Sequence, residues 1–338
     1  MSVHDIQMGI VAETTYGTFV PPTRSYPIST MPSIKKEYGR NVNPAWYAGV
    51  NTETTTDFTP DTKQPATGGL GTVPVQTRGM SMLLKHIFGE APTIGAAVST
   101  IYPHVFVPGA HTISFSSQVN RPFAQGSGGK VASYAGCKVT DAKFACKVSN
   151  GPDGILTVEP NIVAQSEVFT EALAAASYGS STSQESLSFA AVTVTIDGTE
   201  FCADSFELSI ANNFRSFDAT RKFCGGGTIS EPVQEKGADI MISLTGADFT
   251  SGSDALYTKL RSATASGTLC AIVATFTGIA DATQKIVFSA PNARIDGAVP
   301  TGSGTSKYID HPVNFKCLAT SGGTAALTTT YYSKDSAI

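Results

Sequence analysis

The sequence predicts a mainly β protein built from two tandem units, each with one α-helix. Short runs alternate apolar and polar residues along most of the chain, as half-buried antiparallel strands do. Two stretches, 79–89 and 253–261, break that alternation with apolar residues at helical spacing. Landmarks before and after each helix recur in the same order in both halves, as a diverged tandem duplication would leave them.

Residues 1–32 read as an N-terminal arm, because Gly17, Pro21, Pro22, Pro27 and Pro32 exclude a long helix. A first unit is expected over 33–160, a linker over 161–190 and a second unit over 191–338. Strands begin at Ile34, and 39–72 is a long Gly-, Pro-, Asn- and Thr-rich excursion carrying Arg40 and the single tryptophan, Trp46, beside Tyr47. Val73 and Val75 precede the first helix, whose Met80, Leu83, Leu84 and Ile87 form a stripe that caps one face of a sheet. Val105 with Val107, Ile113 with Phe115, and Phe144 with Cys146 and Val148 supply further strands, with a loop at 126–129. The linker holds Glu171 to Ala176 as a short helix, then a Ser- and Thr-rich run.

The second unit opens on Val192, Val194 and Ile196, turned by Asp197-Gly198, a strong hairpin signal. Phe206, Leu208 and Ile210 follow, then a second long loop over 213–239, the strand of Ile240, Ile242 and Leu244, the second helix, and strands around Leu269, Ile286 and Phe288. Ser33-Ile34 matches Ser209-Ile210, and at that same offset Met80 and Leu84 fall on Leu256 and Leu260. At slightly shorter offsets Phe115-Ser116 falls on Phe288-Ser289, and Phe144, Cys146 and Leu156-Thr157 fall on Phe315, Cys317 and Leu327-Thr328.

Composition narrows the function. Charged residues are only 15% of the 338, which leaves a neutral surface suited to burial against partners. A net charge of -4, from 23 basic and 27 acidic residues, argues against a protein that grips nucleic acid. The six cysteines form no CxxC pair and most sit in apolar runs, so they read as free buried thiols of a reducing compartment. No export signal is visible at Met1 to Asp5 and no run of about 18 apolar residues occurs, so a cytoplasmic product without a membrane span is expected.

No motif carries catalysis. GxSxG is absent, and the nearest approach to a phosphate loop, Gly129-Lys130, has Ala124 where the first glycine should stand and Val131 after the lysine. His4, His86, His104, His111 and His311 include no HxxxH and are expected at surface or turn positions, without a metal. Asp57 with Asp61, and Glu231 with Glu235, read as solvated loop acids. No catalytic, cofactor or metal site is therefore expected. The aromatic and basic residues of the two long loops are of the types enriched at protein interfaces. Arg40, Trp46 and Tyr47 of the first loop, and Arg215, Phe217, Arg221 and Lys222 of the second, read as docking contacts with a neighbouring protein surface.

Several stretches together resemble the major tail tube proteins of long, non-contractile tailed bacteriophages. They are the opening Gly9-Ile10-Val11-Ala12-Glu13-Thr14-Thr15-Tyr16-Gly17-Thr18, the 79–89 helix and Tyr102-Pro103-His104-Val105-Phe106-Val107-Pro108-Gly109. Tyr134-Ala135-Gly136-Cys137-Lys138-Val139 and Glu207-Leu208-Ser209-Ile210-Ala211-Asn212-Asn213 complete them. The resemblance spans nearly the whole chain, and its motifs are structural rather than chemical.

The resemblance implies a virion protein, assembled in the host cytoplasm, in which each unit is a β-sandwich or partial barrel flanked by one α-helix and six such units close into a ring with a continuous inner sheet. Rings stack into a tube through which DNA passes without specific binding, and other tail proteins, such as the tape measure and the terminator, are its further partners. With two units per chain the ring is a trimer with pseudo-six-fold symmetry; with one larger unit per chain it is a hexamer. Four inner strands per unit give about 24 strands, a barrel about 48 Å across and a lumen of about 35 to 40 Å. A bore lined by Thr, Ser, Asn, Asp and Glu is expected to repel phosphate. The alternatives are a surface or carbohydrate-binding β-sandwich module and another tail ring protein such as a terminator.

Overall fold

The computed structural model describes residues 6–39, 62–123, 129–149, 151, 154–179, 184–216, 229–246, 254–262, 269–297 and 311–338. The chain is mainly β, with two α-helices among the described residues. Its first half contains β1 (Gln7–Ala12), β2 (Arg24–Tyr26), β3 (Lys35–Gly39), β4 (Thr62–Gly69), β5 (Val73–Pro74) and α1 (Ser81–Phe88). There follow β6 (Thr93–Ile94), β7 (Tyr102–Phe106), β8 (Phe115–Pro122), β9 (Gly129–Lys147), β10 (Thr157–Ala164) and β11 (Ser166–Val168). The second half contains β12 (Val192–Ile196), β13 (Thr199–Glu200), β14 (Ser205–Ala211), β15 (Asp239–Thr245) and α2 (Asp254–Leu260). It ends with β16 (Leu269–Thr277), β17 (Lys285–Gly297), β18 (Val313–Cys317) and β19 (Thr328–Ser333).

One pairing order occurs in both halves. In the first, antiparallel neighbours run β2, β1, β8, β9, β10, β4, β3, with β11 beside the start of β9. In the second they run β13, β12, β16, β17, β18, β15, β14, with β19 beside the start of β17. The long strands β9 and β17 each carry two bulges at matching places. One shift separates Phe115/Ser117 and its counterpart Cys270/Ile272; the other leaves Thr140 of β9 and Asp296 of β17 unpaired. A bulge bends a strand and sharpens its twist, which lets β9 and β17 each pass from one layer to the other.

These pairings match Phe115 to Cys270 and Phe315 to Ile162, not to Phe288 and Phe144 as the sequence landmarks do. Lys35, rather than Ser33, matches Ser209. Short apolar dipeptides recur in any strand of the right phase, so they mark an alternation better than an alignment.

The core lies between two layers. Phe144 of β9 and Phe206 of β14 face Phe288 of β17 with ring centroids 5.2 and 5.8 Å apart, and Phe206 meets Phe276 of β16 at 5.3 Å. Helix α1 seals the layer beside β1, β7 and β9, and its expected stripe of Met80, Leu83, Leu84 and Ile87 is fully buried. Gly89 ends the helix at φ 75, a left-handed conformation that costs glycine little, and its N–H reaches Lys85 O at 2.9 Å. At the other end no side chain of the helix caps it. Remote groups serve instead: Leu83 N donates to Tyr26 Oη at 3.1 Å, and Gly79 N to Asp335 Oδ2 at 2.6 Å.

Other expectations fail for identifiable reasons. The arm is not loose: β1 and β2 are full sheet members, with Met8 and Ile10 buried against β8. The carboxylate of Glu13 pins the end of β1, accepting from Ser114 Oγ and Ser116 Oγ at 2.7 Å, Gly136 N at 2.8 Å and Gly17 N at 3.1 Å. β10 runs through the boundary set at 160, and β11 lies inside the stretch read as linker. Glu171 to Ala176 form no helix, because Gln118 grips Ala172 O at 2.9 Å and Ala174 N at 2.7 Å, holding the segment beside β8. In β7 the buried phase is His104 and Phe106, while Val107 is exposed. The histidines are not surface groups either: His86, His104, His111 and His311 are buried, and His4 lies outside the described residues. The loop at 126–129 lies outside them too, except Gly129, which starts β9. The Asp197-Gly198 hairpin forms as expected, with φ of 51 and 79 and Ile196 opposite Thr199.

Candidate functional site: a continuous polar sheet face

Strand alternation sends one set of residues into the core and the next to the opposite side. Across β10, β9, β14, β15, β18 and β17, the directly paired residues Val158, Phe144, Leu208, Ile242, Phe315 and Ile295 form one row, and all are buried. Each such side chain contributes roughly 1.5 to 3 kcal/mol on burial. The flanking rows face away from the core. One reads Glu159, Lys143, Ser209, Met241, Lys316, Arg294; another reads Thr157, Ala145, Glu207, Ser243, Asn314. A third, nearer the bulges, reads Gly69, Asn161, Asp141, Ala211, Asp239.

This face belongs to one unbroken sheet. β3, β4, β10 and the end of β9 come from the first half, and β14, β15, β18 and the end of β17 from the second, four strands from each. The halves join where β14 pairs with β9 over Ser205–Ala211, from Ser205 opposite Lys147 to Ala211 opposite Asp141.

Both signs of charge stand on the face, largely in pairs. Lys143 and Glu207 meet across the junction at 2.7 Å, Lys316 and Asp239 at 3.3 Å, and Arg294 and Asp296 at 2.7 Å. Lys236 and Lys316 hold the Asp239 carboxyl below the usual range. Asn161 Nδ2 donates to Asp141 Oδ1, and Ser243 Oγ to Asn314 Oδ1, both at 2.6 Å. Among the described residues the face is polar, and most of its charges stand beside an opposite charge.

Of the loop residues singled out from the sequence, Arg40, Trp46, Tyr47, Phe217, Arg221 and Lys222 lie outside the described residues. Arg215 is exposed at the stem of its loop, where its N–H donates to Val233 O at 2.9 Å. The stem closes over the first half through a residue the sequence reading passed over, Lys138. Its ammonium is buried, donates to His111 O at 2.6 Å and Pro232 O at 3.2 Å, and pairs with Glu231 at 2.7 Å. Glu231 is thus not a simple loop acid. The face residues were also missed, although each alternates with an apolar neighbour in sequence.

Cys137, Cys146, Cys270 and Cys317 are buried as expected, whereas Cys202, in the connection between β13 and β14, is exposed, and Cys224 lies outside the described residues. Burial pushes the Cys146 thiol up to about 11 and Cys270 and Cys317 up to about 12, which keeps them protonated and unreactive. No cluster of His, Cys, Asp and Glu able to hold a metal occurs among the described residues. Among those residues, too, no helix is long and apolar enough to cross a membrane.

No curated protein matches the chain. The family described as phage tail tube protein matches residues 4–317, a span that takes in both halves and every strand of the polar face. With that match across nearly all of its length, the chain belongs to the phage tail tube protein family and is a structural protein of the virion tail.

Proposed function

We propose that the chain assembles into rings that stack into the tail tube, with the polar sheet face lining a conduit for DNA. The observation that carries this reading is the face itself: one continuous sheet, apolar towards the core and hydrated on the other side, drawn equally from two halves with one pairing order. Each half is read as one tube unit, the pair having arisen by tandem duplication. Three chains then supply about 24 inner strands, which close at roughly 48 Å. Six chains would supply about 48 strands and double that diameter, far more than a duplex needs. A trimeric ring with pseudo-six-fold symmetry follows.

Charge suits passage. Among its described residues the face carries Lys35, Lys143, Lys147, Lys316 and Arg294, so it is more mixed than a purely acidic or neutral lining. Three of these cations have a carboxylate within ion-pair distance. Tight DNA binding draws on released counterions at free basic groups; paired cations supply little of that and let the duplex slide. The tape measure and the terminator are the expected neighbours within the tail.

Electron microscopy of the purified protein, before and after concentration, tests the reading. Stacked rings with a central bore and three-fold symmetry are expected. A protein that stays a monomer at every concentration overturns it.

A further inference from the structure

Beyond the end of β14 the chain leaves the sheet as a two-stranded stem, 213–216 and 229–235, which docks on the first half. Its own strands are tied where Arg215 N donates to Val233 O and Glu235 N to Asn213 O, both at 2.9 Å. To the first half it is held by Lys138, which donates to Pro232 O at 3.2 Å and pairs with Glu231 at 2.7 Å. Gln165 Nε2 donates to Ile229 O at 2.9 Å, and Ile229 is buried there. The ring of Phe214 stands edge-on to that of His111, with centroids 5.4 Å apart, and the Lys138 ammonium lies 6.0 Å from the same Phe214 ring. A neutral imidazole and a buried cation thus share one seam.

His111, in the connection between β7 and β8, is gripped on several sides. Its carbonyl accepts from Lys138 Nζ at 2.6 Å, its backbone is left-handed at φ 51, and its ring lies against Gly89, where a Cβ would come within 2.4 Å of Cγ. Its Nε2 and the neighbouring Asn212 Oδ1 are buried, and neither makes a hydrogen bond among the described residues. The titratable and charged groups around it are Lys85 and His86 on α1, Lys138 on β9, Glu13 and Tyr16 after β1, and Glu231 on the stem. Glu90 lies beside Gly109 of the same connection. We propose that His111 is the trigger of an acid-sensitive latch: a proton on its ring undocks the 213–216 and 229–235 stem from the first half while the rest of the sheet stays paired.

The latch lies within one chain and needs no ring. Neutral, the imidazole packs as a plate between Gly89 and Phe214. Charged, it sets a second positive group beside Lys138 in a closed seam, and burial penalises that form. The stem is the element that gives way, because Arg215 and Ser216 are already exposed and its own hydrogen bonds travel with it. Burial first, with the Lys138 charge behind it, outweighs the Asn212 amide and holds the docked ring's titration down to about 4. A ring released to water titrates near 6.5, so opening gains about 30-fold between about pH 7.5 and about pH 5.

Thiol labelling of the full-length chain tests the latch. Ile229→Cys, in a Cys202→Ser/Cys224→Ser background, is treated with 4,4′-dithiodipyridine at both pH values, and each rate is divided by that of free glutathione. Labelling at Ile229→Cys is expected to rise about 30-fold in acid, and to stay at least about tenfold faster than at Cys317, which is buried in the second half's core. Adding His111→Asn, a residue type that tolerates the left-handed backbone, should abolish the rise. No rise, a rise that persists in His111→Asn, or equal rates at Ile229→Cys and Cys317 each overturns the proposal. Hydrogen exchange of the unmodified chain, corrected for its intrinsic pH dependence, serves should a variant fail to fold. The Asn212 amide, which donates to Thr140 O at 2.8 Å beside the seam, is expected to exchange faster in acid, and unchanged exchange there overturns the latch.

Discussion

The two halves share a pairing order but not a packing environment, and the helices show the difference most clearly. α1 is enclosed: β7 of its own half, β1, and the C-terminal Asp335 surround it, and Leu83, Leu84 and Ile87 have no exposure. α2 lies against β17, keeps Leu256 at 7% exposure and only half-buries Leu260. An ion pair from Lys259 to Asp197 ties it to the β12–β13 turn. Backbone pairing therefore sets a common frame, while side-chain burial is decided by what each half receives from elsewhere in the chain. The first half receives β19, which pairs with β7 and brings the C-terminal segment over α1.

The largest test of that contrast is truncation of matched helix residues. Leu84→Ala is expected to cost about 3 to 5 kcal/mol, since a fully enclosed site cannot collapse around the cavity. Leu260→Ala should cost about 1 kcal/mol, because its site is already half open. Urea unfolding of both variants measures the gap, and equal losses would mean that α2 is as deeply built in as α1.

Acid separates the halves next. His86 packs on Phe115 with ring centroids 4.7 Å apart, and His111 on Phe214 at 5.4 Å. Burial, before the nearby charges of Lys85 and Lys138, pushes His86 down to about 3 and His111 to about 4. An unfolded histidine titrates near 6.5. Above about pH 7 both states are neutral and the pair adds no pH dependence. As the pH falls through about 6.5 the unfolded chain binds protons first, so stability declines until about pH 4 through His111 and about pH 3 through His86, by roughly 2 to 4 kcal/mol at pH 5. A His86→Leu/His111→Gln variant should flatten that limb of the curve, and an unchanged slope would assign acid sensitivity to other groups.

These histidines also show where the sequence stops being legible. Alternation and helical spacing identified the apolar positions of α1, β14 and β15 because those patterns depend on neighbours along the chain. The Asp197-Gly198 turn was legible for the same reason. Histidine burial depends on which distant element arrives overhead, and nothing near residue 86 announces Phe115. The same holds for β1, whose Met8 and Ile10 alternate but lie among turn residues, and for 171–176, whose alanines favour a helix until Gln118 holds them extended. Of the candidate site, the two-sided pattern of the strands was readable, whereas the pairing of β14 with β9 was not. Strand order is a long-range choice that short motifs do not encode.

A smaller contrast lies at matched positions beside the second bulge, Lys138 in β9 and Arg294 in β17. Lys138 has a side chain 2% exposed and holds two carbonyls and Glu231; Arg294 is 47% exposed and pairs with its near neighbour Asp296. Lys138→Ala should cost about 2 to 3 kcal/mol, because it strips buried acceptors of a charged donor while Glu231 retains part of its hydration. Arg294→Ala should stay within about 0.5 kcal/mol in the isolated chain. Should Arg294→Ala impair assembly without altering monomer stability, the second half's position would be doing between chains what Lys138 does within one.

The halves are most alike on the polar face, and there the effect on stability is smallest and the effect on passage is the informative one. Replacing Glu159, Glu207 and Asp239 by lysine removes carboxylates from both halves and leaves Lys143 and Lys316 unpaired. Exposed pairs of this sort contribute about 0.2 to 1 kcal/mol each, so the chain should fold and assemble. If the face lines the conduit as proposed, DNA would then meet a basic lining whose counterions it can displace, and ejection from particles carrying the variant should slow at low salt and recover as salt rises. Lysines at Glu90, Glu171 and Glu200, which are exposed but off this face, provide the matched control. Ejection that slows equally in both variants would separate net charge from lining, and would place the bore on another surface of the ring.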